Sequence, residues 1–167
     1  MFKKIVLFAL LLLPMGVFAQ ENAKIAHVNS MEIFNAMPET AAAEKEFAAF
    51  NQSFQDELKR LEEEYNKKYT EYMQQQDSLT QSIRIRRLQE VKDLEERIQT
   101  FYQQSSQESQ KKREDLNMPI IQKIQNAIKA VGDENGYTYV MEAGAFIYVS
   151  PKAIDATPLV RTKLGLK

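Results

Sequence analysis

The chain has 167 residues, with 22 basic and 23 acidic side chains, one histidine and no cysteine. Without cysteine there are no disulfides, no thiolate chemistry and no lipid anchor attached through sulfur. A net charge of −1 argues against a nucleic-acid binder, which ordinarily carries a basic surplus.

Residues 1–19 combine Lys3 and Lys4, an apolar core over residues 5–13 and the small-residue ending Val17-Phe18-Ala19. That pattern predicts a secretory signal peptide cut between Ala19 and Gln20. Its core is too short to span a bilayer, and no other run reaches that length. Export as a soluble protein is the expectation. Loss of the two lysines leaves 20 basic against 23 acidic side chains.

Residues 24–29 (KIAHVN) read as a strand. Asn29 then caps a short helix over 31–37, with Glu32 in its first turn. Pro38 opens the next helix, where its missing N–H costs nothing. His27 is expected to be a packed strand side chain rather than a ligand.

Residues 39–118 contain neither glycine nor proline, and their Glu, Gln, Lys, Arg, Leu and Ala content predicts helix throughout. Phe50, Phe54, Leu58, Leu61, Tyr65, Tyr69 and Tyr72 advance in steps of four and three that fit an eleven-residue repeat, hence a nearly straight pairing. Ile83, Arg87, Val91, Leu94, Ile98, Tyr102, Ser105, Ser109, Arg113 and Leu116 keep the rhythm. The stripe is lost in the polar stretch 74–79, which predicts a hairpin tip. Folding about residues 77–78 makes facing residue numbers sum to about 156 and places Phe47 and Phe50 opposite Ser109 and Ser106. The competing reading is one rod of roughly 120 Å at about 1.5 Å per residue.

Acid-first pairs spaced i, i+4 (Asp56–Arg60, Glu63–Lys67, Glu64–Lys68, Asp93–Arg97, Glu108–Lys112) are expected to support the helices by about 0.2–0.5 kcal/mol each. The run Glu62-Glu63-Glu64 reads as a solvated helix face. Past the tip, Arg84, Arg86 and Arg87 have no evident acidic partner and lie beside Met73, Ile85 and Leu88, apolar residues off the stripe. This mixed patch is the candidate contact surface, for a polypeptide or for anionic lipid.

Pro119 is expected to end or kink the arm, with helix resuming through Ile120, Ile124, Ile128 and Val131 as far as Gly132 and Gly136. Residues 137–142 (YTYVME) and 145–149 (AFIYV) read as a β-hairpin turning at Ala143-Gly144. Thr157-Pro158 opens a last helix that closes near Gly165. The fold class is thus α+β, a long helical hairpin (39–118) on a small body (20–38 and 119–167). A body that small, with open sheet edges, is expected to oligomerise.

The KIAHVNSMEIF strand before the arm, the charged helical hairpin and the closing GYTYVMEAGAFIYVSPKAIDATPLV resemble the Skp/OmpH family of periplasmic chaperones. The resemblance spans the chain after the signal peptide. It implies a homotrimer in which strands of three chains form a β-barrel body and three helical arms surround a cavity. Such proteins hold unfolded outer-membrane β-barrel proteins without ATP. The sequence differs from the best-known members in being mildly acidic. Neither catalysis nor a cofactor is expected, since phosphate-binding glycine loops and metal-spaced ligands are missing. The alternative function is a coiled-coil spacer or scaffold of the cell envelope that binds no clients.

Overall fold

The structure, a computed structural model, describes residues 23–166. The expected signal peptide and its cleavage site at Ala19 and Gln20 lie outside the described residues. In chain order the elements are β1 (Ile25–Val28), α1 (Ser30–Ala36), α2 (Pro38–Gln75), α3 (Gln81–Asn135), β2 (Tyr139–Glu142), β3 (Ile154–Asp155) and α4 (Thr157–Lys163). The molecule is mostly helical, with a small sheet.

β1 is the central strand, and both neighbours run parallel to it in the order β2-β1-β3. Ile25 lies beside Tyr139 and Val28 beside Glu142. Parallel neighbours cannot be joined by a tight turn and need a crossover. Here the crossover is the whole arm, so the chain must travel out and return. The rod reading is excluded within this chain.

Local chemistry sets the corners. The Asn29 side chain accepts from the Glu32 N–H at 3.0 Å, which caps α1 as its sequence predicted. Pro38 sits in the first turn of α2. The Thr40 hydroxyl donates to the Phe34 carbonyl at 2.6 Å, locking the angle between α1 and α2. α3 runs through Pro119 without a break. The proline removes one N–H, but packing of Ile120, Ile124, Ala127 and Val131 into the body core outweighs that loss. Gly132 is also inside the helix, and termination waits for Gly136, whose φ of 62° supplies the left-handed C-terminal turn.

The expected 137–149 hairpin does not form. Gly144 has no positive φ, since among the described residues only Gly136 and Gly165 do, and a two-residue hairpin turn requires that conformation. Residues 143–145 instead make one 3-10 turn. The chain then leaves the sheet, with Ile147 fully and Tyr148 largely exposed, and returns as β3 on the other side of β1. The sheet of a single chain therefore remains open at both edges.

The body core joins Ala26 and Val28 of β1, Ile33 of α1, Ala43 of α2, the apolar stripe of α3 around Ile120–Val131, and Val160 of α4. Along the arm, buried side chains recur only near the far end: Leu61, Val91 and Leu94. Burying such residues contributes on the order of 2 kcal/mol each, against about 0–1 kcal/mol for an exposed ion pair. These three therefore anchor the distal arm. Between them and the body the pairing rests on edge-to-face contacts of Phe54 with Phe50 (4.8 Å) and Phe101 (6.0 Å), and on the Ser109–Asn51 hydrogen bond of 2.8 Å.

The arm turns back between Gln75 and Gln81. The seam differs in detail. Lys68 turns inward where Tyr69 was expected, and Tyr69 is 44% exposed. Phe101 replaces Tyr102, which is 66% exposed. At about 100° per residue, two successive four-residue steps from Leu61 carry Tyr69 about 80° around the helix, whereas Lys68, seven residues on, stays within about 20° of the buried face. Facing partners such as Lys68–Glu90, Asn51–Ser109 and Glu46–Lys112 shift the register by two to four residues from the expected one. Phe47 and Phe50 consequently lie under Arg113 and Lys112, at 4.1 and 5.8 Å from ring centroid to cation, rather than against the small serines.

This register is open to crosslinking, because the chain has no cysteine of its own. Asn51→Cys with Ser109→Cys is expected to form an intrachain disulfide under mild oxidation, since their side chains already meet. Asn51→Cys with Tyr102→Cys, two turns away on an exposed face, is expected to stay reduced. Equal crosslinking of both pairs would disprove the seam.

Candidate functional site

The arm tip brings together what the sequence singled out. Met73, Ile85 and Leu88 are 48%, 60% and 38% exposed, so all three present apolar surface to solvent. Ile83 and Tyr69 add to the same end of the arm, 42% and 44% exposed. Gln76 fixes the turn by donating to the Met73 carbonyl at 3.5 Å, while Ser78 donates to the Gln75 carbonyl at 2.8 Å.

The three arginines are not equivalent, contrary to the reading that none has an acidic neighbour. Arg86 Nε lies 3.5 Å from one oxygen of Glu90, and Arg87 Nη1 lies 3.2 Å from the other. Lys68 reaches the same carboxylate from the opposite helix at 3.3 Å. The spacing Arg86–Glu90 and Arg87–Glu90 (i, i+4 and i, i+3) was legible in the sequence; the cross-arm lysine was not. Arg84 is exposed and makes no side-chain hydrogen bond or ion pair among the described residues.

Glu90 is thus the electrostatic bolt of the distal arm. The hydrogen bond from Lys68, helped by the positive charge of Lys68 and Arg87 and opposed by burial, holds its carboxyl below the usual glutamate range. The i, i+4 pairs expected along the shaft are rearranged as well. Arg60 binds Glu57 through two contacts of 2.6 and 2.9 Å rather than Asp56, and Lys112 turns across the arm to Glu46 rather than to Glu108. Crossing the hairpin gives Lys112 the Phe50 ring to lie over as well as a carboxylate.

Elsewhere, His27 lies in β1 with its Nδ1 buried, 3.8 Å from Asp155, the packed position expected of it. Asp155 accepts from the Thr157 N–H at 2.9 Å. Burial works against its charge, but the Thr157 hydrogen bonds and His27 together keep its carboxyl below the ordinary value. A groove of about 380 Å³, lined by Met31, Phe34, Ile121 and Ile128 among others, opens where α1 meets the root of α3. No feature of the sequence reading pointed to it, because its residues belong to two helices far apart in the chain. Among the described residues no group of three or more His, Cys, Asp and Glu side chains is placed to hold a metal ion. None of the described helices is long and apolar enough to cross a membrane.

A carboxylate whose native pKa is depressed stabilises above its unfolded pKa and loses that contribution as pH falls through the native value. The protection factors of distal-arm amides around Leu61 and Val91, taken relative to the intrinsic exchange rate at each pH, are therefore expected to fall as pH drops below the ordinary glutamate range. Glu90→Gln should remove this pH dependence, and an unchanged profile would discount the bolt.

An open-sheeted body carrying one long helical hairpin is also what comparison with known proteins finds. The family model for OmpH-like outer membrane proteins matches residues 24–164. Chaperone protein Skp of Photorhabdus luminescens is 31% identical over 146 residues, covering 87% of this chain and 88% of that one. The Skp of Yersinia enterocolitica is 28% identical over 142 residues, covering 84% and 87%. An OmpH-like outer membrane chaperone from Caulobacter crescentus superposes with a TM-score of 0.73 over 84% of this chain and 83% of its own, at 13% identity, a likeness of fold. These relatives bear the names of chaperones, not of enzymes. The chain is a member of the OmpH-like family, to which the Skp chaperones belong.

Proposed function

We propose that the protein is an ATP-independent periplasmic holdase that keeps unfolded outer-membrane β-barrel proteins from aggregating, in a cavity between helical arms. The observation that carries this reading is the arm itself. Its two helices are joined toward the far end by only three buried apolar side chains among the described residues, and its tip offers Met73, Ile85 and Leu88 to solvent. Weak pairing and flexible apolar contacts suit a client that must be held without being folded. Chaperone names among relatives that align along nearly their whole length support the same reading.

The body is proposed to assemble as a homotrimer. Support comes from the open edges of the sheet, the exposed Tyr139 and Met141 on β2, and the β-rich residues 146–149 that no strand of the same chain pairs with. Three such sheets side by side would form a barrel and set three arms around one space. The signal peptide of residues 1–19 is proposed to direct export to the periplasm, cleavage falling between Ala19 and Gln20. The basic and apolar tip is a candidate for transient contact with anionic lipid.

Two measurements test this. Dilution of a urea-unfolded outer-membrane barrel into the mature protein should suppress light scattering, whereas an envelope spacer would leave aggregation unchanged. Changing Met73, Ile85 and Leu88 together to Ser is expected to weaken protection while leaving helicity intact; full protection by this variant would return the tip to ordinary surface. In sedimentation the mature chain should run as a trimer whose unfolding midpoint rises with protein concentration. A stable monomer at micromolar concentration would overturn the assembly.

A further inference from the structure

The tip concentrates positive charge that the rest of the chain lacks. Residues 67–92 hold six basic side chains (Lys67, Lys68, Arg84, Arg86, Arg87 and Lys92) against three acidic ones, leaving 16 basic and 20 acidic elsewhere in the sequence. Three of the six share the Glu90 carboxylate. Arg84 stands apart. It projects from the first turn of α3, is exposed, and precedes Ile85, the most exposed apolar residue of the patch.

We propose that Arg84 makes the arm tip selective for apolar segments that carry a carboxylate, a proposal that rests on the holdase function above. A guanidinium presents a rigid fork of donors that matches a carboxylate in two parallel hydrogen bonds. Arg86 and Arg87 are each drawn to Glu90 within α3, Arg87 by a hydrogen bond of 3.2 Å and Arg86 by an ion pair of 3.5 Å, and the link across to α2 is the one that Lys68 makes to the same carboxylate. Arg84 has no internal acceptor to give up, so a client carboxylate gains its full interaction there. Leu88, four residues on, lies on the same helix face as Arg84, and Ile85 and Met73 add exposed apolar surface at the same end of the arm. An extended chain in which aliphatic or aromatic residues flank an Asp or Glu meets both requirements at once.

The same commitments argue for a polypeptide rather than a membrane surface. Recognition of anionic lipid sums over clusters of roughly four to eight uncommitted Lys and Arg, each adding about 1 kcal/mol. Here two arginines and a lysine are neutralised in part by Glu90. One free arginine beside apolar residues suits a single carboxylate on a flexible chain.

The probes are two synthetic peptides of alternating apolar and small polar residues, identical but for two Asp in one and two Asn in the other. Binding to the full mature chain is followed by fluorescence anisotropy at low salt. The Asp peptide is expected to bind roughly three- to ten-fold tighter, the scale of an exposed charge-assisted hydrogen bond. Arg84→Gln should bring the ratio close to one, and Arg86→Gln should preserve it. Persistence of the preference in Arg84→Gln, or its equal loss in Arg86→Gln, overturns the assignment. Anionic phosphatidylglycerol vesicles form a third arm: if Arg84→Gln abolishes vesicle binding but leaves the peptide ratio unchanged, lipid is the occupant and the proposal fails. Light scattering with an unfolded barrel protein separates the two readings. A wild-type chain that suppresses aggregation while its Arg84→Gln variant keeps the Asp preference has lost only the Arg84 assignment. A wild-type chain that suppresses none has lost the holdase reading, and the proposal with it.

Discussion

The structure depends on one pairing: β2 lying parallel to β1, with Tyr139 against Ile25. The two strands are separated by more than a hundred residues, nearly all helical, and a parallel neighbour is reached only through a crossover. The helices must therefore go out and come back. Everything functional about the molecule, an arm with a tip held away from its body, follows from satisfying that backbone ladder. The body core then closes over the junction, where Val28, Ile33, Ala43, Ile120 and Val160 meet.

Stability is distributed unevenly along the arm as a result. At the root, α2 and α3 share the body core. At the far end, Leu61, Val91 and Leu94 form a small second cluster, fastened by Glu90 and the cations around it. The shaft between is held by aromatic edges, cations over Phe47 and Phe50, and one polar bond between Asn51 and Ser109. Such contacts are individually small and partly hydrated, so local opening is cheapest there. Under the proposed holdase function, a shaft that yields more readily than its tip would suit the enclosure of chains of different bulk.

Charge is organised on the same principle. The overall field of a mildly acidic chain does not attract acidic partners. The chain instead gathers six basic residues at the tip, commits three of them to Glu90, and leaves Arg84 exposed close to apolar residues. Short-range contact takes over from long-range attraction.

Much of this was legible in the amino-acid order. The absence of breakers over residues 39–118 determined helix, the polar interruption at 74–79 determined the turn, and Asn29, Pro38 and Gly136 marked helix ends through local backbone chemistry that needs no distant partner. Exposure of Met73, Ile85 and Leu88 was readable too, since they fall off the apolar stripe. What tertiary structure alone decided is whatever depends on partners remote in sequence. The exchange of Phe101 for Tyr102 in the seam, the passage of Lys68 across to Glu90, and the continuation of α3 through Pro119 each reflect packing against another element. So does the fate of residues 143–149, where β-rich composition suggested a hairpin. Composition reports a preference for extended backbone, but pairing depends on which edge lies within reach: residues 146–149 pair with no strand among the described residues, and the chain meets β1 again only at Ile154–Asp155.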